Sequence, residues 1–143
     1  MEEIAAYKGC FVCGQENVDG LKAKFVYDGE RALTEIVANQ KFEGYKGIYH
    51  GGILATLLDE VMIKAVLAHG VFAVTAEMTL RYKRPVNTGE RIRFIGRVVS
   101  HKGRLYQTEG EALGDDGRPY AVATGICIEA KPELRGKLAE SIE

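Results

Sequence analysis

The stretch HGGILATLLDEVMIKAVLAH, residues 50–69, decides the fold of this 143-residue chain. Apolar residues occur on almost every side of its helical wheel, and a helix of that kind lies inside a protein. At about 1.5 Å per residue it would be roughly 27–30 Å long. The sequence therefore predicts one long central helix that ends at Gly70.

Two adjacent acids, Asp59 and Glu60, interrupt this apolar helix. A buried carboxylate is costly unless it is paired. Glu60 has Lys64 four positions later, so we expect an ion pair between them on the helix surface. Asp59 has no charged residue one turn away in either direction, which makes it a candidate catalytic group. The alternative for Asp59 is a buried acid bonded to a backbone or hydroxyl group.

Composition indicates a single globular domain over residues 1–143, with 46% hydrophobic and 27% charged residues. Charges interrupt the longest apolar run, so no membrane-spanning segment is expected. The start MEEIAAYKG lacks the layout of a signal peptide, and three cysteines fit a reducing compartment. We therefore expect a cytoplasmic protein.

Positive charge is concentrated between Arg81 and Arg104, where eight Lys/Arg accompany one acid, Glu90. The rest of the chain has eleven Lys/Arg against nineteen acids. This distribution favours a surface for an anionic ligand, although a solvated outer strand face is the alternative. Nucleic acid is not an expected partner, because aromatic residues are sparse there and no nucleic-acid motif is present.

Alternating apolar residues and turn residues predict an α+β fold in which a six-stranded antiparallel sheet wraps around the helix. The predicted strands are Leu21–Tyr27, Arg31–Ala38, Val71–Tyr82, Glu90–Ser100, Arg104–Leu113 and Tyr120–Ala130. Residues 1–20 are predicted to form an N-terminal loop and residues 131–143 a peripheral helix. Open sheet edges favour a homo-oligomer.

The N-terminal loop contains Cys10-x-x-Cys13-Gly14. A turn-forming knuckle is the favoured interpretation, because no second Cys-x-x-Cys exists to complete a four-ligand zinc site in one chain. Two copies meeting in a dimer could supply four thiolates, but this arrangement is disfavoured. A redox pair is disfavoured as well, because the βαβ context of such motifs is missing. We expect no metal site.

These motifs resemble the hotdog-fold acyl-CoA thioesterase superfamily, in the branch of the phenylacetate-degradation thioesterases. The resemblance extends from about Gly20 to Ala130. The residues that carry it are Gly47-Ile48-Tyr49-His50-Gly51-Gly52, Leu58-Asp59-Glu60, Arg81-Tyr82-Lys83-Arg84-Pro85-Val86 with Gly89, Gly103-Arg104, Gly117 and Ala123-Thr124-Gly125. An acid nine residues after the His of His-Gly-Gly is fairly specific in this context.

The resemblance implies hydrolysis of acyl-CoA to a carboxylic acid and coenzyme A. Asp59 falls on the family's general base or nucleophile, and the Gly51 N–H falls on its oxyanion donor. Thr75 matches a hydroxyl residue that is expected from the neighbouring subunit, so the active unit would be a dimer or tetramer. For His50, a structural role that fixes the loop is favoured over a role as general base. Gly52 serves either a tight turn or substrate binding.

Coenzyme A is expected only as part of the substrate, with no metal or redox cofactor. Its phosphates need cations, and we assign this role to Lys83, Arg84, Lys102 and Arg104 as a group. The acyl chain is left open.

Gly44 departs from the family pattern, because many relatives carry Asn or Gln six residues before the His. Asn39, Gln40 or Glu43 would have to substitute, or the site works without an amide. This departure favours the alternative function, a non-catalytic hotdog domain that binds acyl-CoA or another small ligand. A hotdog dehydratase is disfavoured, because the resemblance to that class would require a His/acid pair placed differently around the helix, not an acid nine residues after His-Gly-Gly.

Overall fold

The predicted central helix is present in the computed structural model, which describes residues 1–142. This helix, α1, runs over Gly51–Leu67, and His50 caps its N-terminus. Its leucine, valine and methionine side chains are buried along most of its length. Gly70 follows with a φ of +80°, a conformation that lets the chain turn back.

Seven strands form one antiparallel sheet around α1. In chain order they are β1 (Glu2–Glu3), β2 (Val26–Tyr27), β3 (Ala32–Val37), β4 (Ala73–Tyr82), β5 (Arg91–Lys102), β6 (Leu105–Leu113) and β7 (Pro119–Glu129). Their spatial order is β1-β2-β3-β5-β6-β7-β4. A 3₁₀ turn over Gln40–Phe42 precedes α1, and a second helix, α2, covers Pro132–Glu140. The predicted α+β hotdog architecture is confirmed.

The predictions were wrong in two details of the N-terminal part. The sheet has seven strands rather than six, because Glu2–Glu3 pairs with β2, so residues 1–20 are not a loop throughout. The strand predicted over Leu21–Tyr27 is reduced to its last two residues. Lys22 has a positive φ of 52°, and backbone N–H groups on either side of it donate to carbonyls of the N-terminal loop. This segment therefore pairs with that loop instead of extending β2.

The helix lies directly against β5. At Gly96 a Cβ atom would stand 2.4 Å from the carbonyl oxygen of Val61, so only glycine allows this close approach. On the same face Ile92 and Phe94 are fully buried, while Arg93 is exposed on the other face, as the alternation predicts.

Strand β4 forms one edge of the sheet. Its Val74 and Tyr82 side chains are 40% and 53% exposed. An edge strand with unpaired backbone groups and exposed apolar side chains is a surface on which a second sheet can pair. Homo-oligomerisation remains a prediction.

The C-terminal helix α2 lies at the periphery, with no buried residue. An isolated antiparallel β-bridge between Tyr7 and Ile142 holds the turn that follows α2 against the N-terminal segment. Within residues 1–142, no helix combines the length and apolar character needed to cross a membrane.

Candidate active site

The N-terminus of α1 presents an unpaired backbone donor. The Gly52 N–H donates to His50 Nδ1 at 2.8 Å, which fixes this ring nitrogen as an acceptor. For the Gly51 N–H, no acceptor is found among residues 1–142. An unpaired N–H at the positive end of the helix dipole is suited to an anionic or strongly polarised oxygen.

Tyr82, at the end of β4, fixes the start of the helix. Its hydroxyl donates to the Gly51 carbonyl at 2.7 Å. A Cβ atom at Gly51 would lie 3.4 Å from the tyrosine ring, which is ordinary contact. The backbone of Gly51 is thus oriented by the neighbouring strand.

A groove of about 1020 Å³ opens beside this helix start. His50, Gly51 and Gly52 line it together with Lys83 and Arg84, so the structure brings together these five predicted site residues. The groove combines a free backbone donor with positive charge.

The four predicted phosphate-binding cations divide into two pairs. Lys83 and Arg84 line the groove, whereas Lys102 and Arg104 lie at the turn between β5 and β6. That turn is near the other end of β4, because the Arg104 guanidinium donates to the carbonyl of Glu129, the residue paired with the first residue of β4. One chain therefore does not place all four cations around one groove.

Arg84 is already held by its own chain. Its guanidinium donates to Asp116 at 2.8 Å and lies 4.3 Å from the centre of the Tyr120 ring. For the exposed side chains of Lys83 and Lys102, no ion pair is found within residues 1–142. These two lysines are the more available cations of the group.

Asp59 has a hydroxyl partner. The Thr75 hydroxyl donates to Asp59 Oδ1 at 2.7 Å, and both side chains are partly buried. The pairing of β4 with β7 is irregular between Thr75 and Glu77, and such bulges reorient side chains. Because the Thr75 hydroxyl binds Oδ1 of Asp59, the other carboxylate oxygen, Oδ2, is available to a further group.

The expectation that Asp59 and Thr75 come from different chains was wrong. Strand β4 returns alongside α1 after a short connection, so Thr75 reaches Asp59 sixteen residues earlier in its own chain. Asp59 instead lies far from Gly51. Eight residues of helix separate them by about 12 Å along the axis. One chain alone does not present both groups to one thioester carbon.

Gly44 packs against His50, with a would-be Cβ atom 3.3 Å from the imidazole ring. Of the predicted substitutes for the missing amide, Glu43 lines the groove, but its carboxylate accepts from the Gly47 N–H at 3.0 Å. Asn39 accepts from the Lys41 N–H and caps the 3₁₀ turn. Gln40 is exposed and does not line the groove.

The Glu60–Lys64 ion pair is confirmed at 3.7 Å, but it is buried rather than on the helix surface. Lys64 is 1% exposed, and its ammonium group also donates to the carbonyl of Ala5. Burial raises the pKa of Glu60 to about 7, and the charge of Cys10 adds to this effect while Lys64 opposes it.

The sequence did not predict that Cys10 and Cys13 lie beside this ion pair. Their sulfurs and a Glu60 carboxylate oxygen lie within 4.8 Å of one another. Structural zinc takes four ligands, and within residues 1–142 no fourth side chain joins this group. The Cys10-x-x-Cys13 motif alone gave no signal for Glu60, which is fifty residues away in the chain.

A family model described as thioesterase superfamily matches residues 46–121 of this chain. The chain belongs to the thioesterase superfamily, as the sequence motifs predicted.

Among curated proteins, acyl-coenzyme A thioesterase THEM4 of Bos taurus is 27% identical over 137 residues, covering 92% of this chain and 56% of the relative. A solved thioesterase superfamily protein is 26% identical with a TM-score of 0.78, covering 85% of this chain and 61% of that one. The PaaI protein of E. coli, from the phenylacetic acid degradation operon, is 19% identical with a TM-score of 0.73, covering 78% and 81%. This last likeness shows the fold alone. The chain spans about half the length of the curated relatives it matches.

Proposed function

We propose that this protein hydrolyses acyl-CoA thioesters to a carboxylic acid and free coenzyme A. The observation that carries the proposal is the Gly51 N–H at the N-terminus of α1, which has no acceptor within residues 1–142 and lies beside a groove that Lys83 also lines. Membership of the thioesterase superfamily and the likeness to a relative named acyl-coenzyme A thioesterase support it.

Gly51 would act on the carbonyl oxygen of the thioester. During attack on a thioester this oxygen gains negative charge, and a preformed donor at a helix N-terminus stabilises that charge. The hydrogen bond from Gly52 to His50 keeps the imidazole occupied at the start of the helix. His50 is accordingly proposed as a positioning residue rather than the base.

Asp59 would activate the attacking water or attack the thioester carbon itself. The Thr75 hydroxyl holds Oδ1, which orients the carboxylate and leaves Oδ2 to face the water or the substrate. If Asp59 activates water, the leaving CoA thiolate takes the proton that Asp59 accepted from that water. If Asp59 attacks, the thiolate is protonated by solvent, and a water molecule then hydrolyses the mixed anhydride to release the carboxylic acid and regenerate Asp59. No metal or redox cofactor is needed for this chemistry.

The site is proposed to be shared between two copies, because about 12 Å of helix separates Gly51 from Asp59 in one chain. Strand β4 is an edge, with Thr75 near its start and Tyr82, which contacts Gly51, at its end. Antiparallel pairing of two β4 strands about a twofold axis would bring the Tyr82 end of one copy to the Thr75 end of the other. Gly51 of one copy would then face Asp59 of the partner.

The same pairing would bring the two groups of cations together. Lys83 and Arg84 of one copy would approach the end of the partner that carries Lys102 and Arg104. The anionic 3′-phospho-ADP part of coenzyme A would bind there, with Lys83 and Lys102 contributing most, because no ion pair already occupies them within residues 1–142.

A non-catalytic domain that binds acyl-CoA is the second candidate. It is favoured by Gly44, which provides no amide, and by the local hydrogen bonds that already occupy Asn39 and Glu43. In this case the groove would bind the ligand without cleaving it.

Release of free thiol from a panel of acyl-CoAs distinguishes the two. Wild type should turn over at least one of them, and Asp59→Asn should lower kcat by roughly 10²–10⁴-fold. Glu109→Gln, an exposed acid paired with Arg97, is the matched acid-to-amide control and should keep full activity. Unchanged turnover in Asp59→Asn would refute the role of Asp59. Calorimetric CoA binding without turnover of any acyl-CoA would favour the binding domain.

A further inference from the structure

The Cys10-x-x-Cys13 turn and the buried Glu60–Lys64 pair form a cluster that the proposed thioester chemistry does not use. We propose that Cys10 and Cys13 are a thiol–disulfide exchange site that reacts with small-molecule disulfides. Cys10 would be the attacking sulfur, and Cys13 the sulfur that resolves the mixed disulfide. The cluster does not depend on the proposed hydrolysis.

The turn is built to hold a thiolate at Cys10. The backbone N–H groups of Val12 and Cys13 point at Cys10 Sγ, at 3.3 and 3.4 Å. The turn closes at Gly14, where a Cβ atom would stand 2.5 Å from the Cys10 nitrogen, so no larger residue fits. Two amide donors on one sulfur stabilise negative charge there.

The two sulfurs differ in exposure. Cys10 is partly exposed, whereas Cys13 is 1% exposed. A hydrogen bond from the Cys13 thiol, the two backbone N–H groups and the charge of Lys64 lower the pKa of Cys10 to about 5 against the effect of burial. The bond to Cys10, and then burial, raises the pKa of Cys13 above its usual range. A partly exposed thiolate beside a buried thiol matches an attacking and a resolving cysteine.

Glu60 is placed to take the proton of Cys13. Its Oε2 atom lies 3.9 Å from Cys10 Sγ, and it also interacts with Cys13. The other titratable groups that face the cluster are Lys64, Tyr7 and Asp59. Lys64 keeps the buried group near neutrality in both states, since it balances the Cys10 thiolate before reaction and the Glu60 carboxylate afterwards.

The reaction balances in two steps. The Cys10 thiolate attacks one sulfur of a disulfide RSSR, forms a Cys10–SR bond and releases RS⁻, which takes the proton that Glu60 holds beside the thiolate and leaves a Glu60 carboxylate. Cys13 then gives its proton to the Glu60 carboxylate, and its sulfur attacks that of Cys10 and expels the second RS⁻, which is protonated in turn. The dithiol loses two electrons to RSSR, which becomes two thiols.

A metal site is the competing interpretation of the same three residues. The cluster offers only three side-chain ligands within residues 1–142, and the Lys64 ammonium lies 3.7 Å from the carboxylate that would bind the cation. In a thiol–disulfide exchange site, the buried Lys64 charge is balanced first by the Cys10 thiolate and then by the Glu60 carboxylate. Beside a divalent ion, the lysine ammonium would have no such charge-balancing role.

The test uses the reduced 143-residue protein and oxidised glutathione, followed by intact mass and peptide mapping. Wild type should form the Cys10–Cys13 disulfide, and Cys13→Ser should accumulate one glutathione on Cys10. Cys10→Ser should react at least tenfold more slowly, and Cys127→Ser, which removes the third, buried cysteine, should react like wild type. Glu60→Gln should slow only the second step, so that mixed disulfide accumulates, while Glu109→Gln should not.

Alkylation of Cys10 by iodoacetamide gives an independent measure. With a pKa of about 5, Cys10 has about 30-fold more thiolate at pH 7 than an ordinary cysteine, so its alkylation should have a midpoint near pH 5. A midpoint near pH 8.5, or equal glutathione uptake by Cys10→Ser and Cys13→Ser, would overturn the proposal. Stoichiometric zinc that must be chelated before the thiols react would overturn it in favour of a metal site. None of these outcomes depends on thioester hydrolysis.

Discussion

Replacing Gly51 by proline removes the proposed oxyanion donor with little other change. Gly51 is the first residue of α1, where proline is well tolerated because its missing N–H would have no intrahelical partner. His50 has a ψ of 126°, a conformation that the residue before a proline favours. No hydrogen bond is lost, since the Gly51 N–H has no acceptor within residues 1–142.

Gly51→Ala is the matched control. Both variants place a Cβ atom about 3.4 Å from the Tyr82 ring, but only alanine keeps the N–H. The stability of each should change by less than about 1 kcal/mol, because proline at the first helical position is preorganised. Loss of one oxyanion donor costs about 3–4 kcal/mol of transition-state stabilisation, or roughly 10²–10³ in kcat.

The assay is thiol release from the best acyl-CoA under saturating conditions, with urea unfolding of each variant. Gly51→Ala should stay within about tenfold of wild type, and Gly51→Pro should fall about a further hundredfold. Equal kcat values for the folded proline and alanine variants would refute the argument that this N–H binds the developing oxyanion.

Three further predictions concern stability and binding. Glu60 has a pKa raised from 4.5 to about 7, so the folded state holds a proton that the unfolded chain releases, and its contribution to stability is lost as the pH rises across that window. Between pH 4.5 and 8, the free energy of unfolding of Glu60→Gln should therefore rise by about 3 kcal/mol relative to that of wild type. Urea unfolding at each pH measures this difference, and parallel pH profiles of the two proteins would contradict the prediction. Gly96→Ala should lower the free energy of unfolding by about 3 kcal/mol or prevent folding, because the alanine Cβ atom would lie 2.4 Å from the Val61 carbonyl oxygen. An unchanged urea midpoint would be inconsistent with that packing. Lys83→Ala and Lys102→Ala should each weaken CoA binding several-fold and reduce its salt dependence in calorimetry, whereas salt-dependent affinity that is unchanged in both would exclude them.

The sequence predicted the parts of the fold that follow from local patterns. The apolar run after His50 predicted α1, and alternation predicted the long strands of the sheet. It overestimated the strand at Leu21–Tyr27, because the positive φ of Lys22 leaves no trace in a hydrophobic pattern. The pairing of Glu2–Glu3 with β2 was missed for a related reason, since a two-residue strand is too short to show a period.

The sequence named candidate site residues, whose roles stay predictions, but not their arrangement. The motif identified Gly51, Asp59 and Thr75, yet assigned Asp59 and Thr75 to different chains. Their 2.7 Å hydrogen bond depends on how β4 returns along the helix, which spacing does not encode. The burial of Lys64 and its proximity to Cys10 are likewise tertiary facts, because the residues that cover the helix at that point come from the N-terminal segment.

Complementation between two inactive variants tests most directly the claim that Gly51 of one copy and Asp59 of another act on one thioester. Gly51→Pro and Asp59→Asn are each expected to retain at most about 1% of the wild-type kcat alone. In a shared site, a mixed dimer contains one intact pair, so co-refolding equal amounts should restore about a quarter of wild-type turnover. The double variant on one chain, refolded with an inactive partner, is the control and should restore none. Absence of recovery in verified mixed dimers would contradict the shared site.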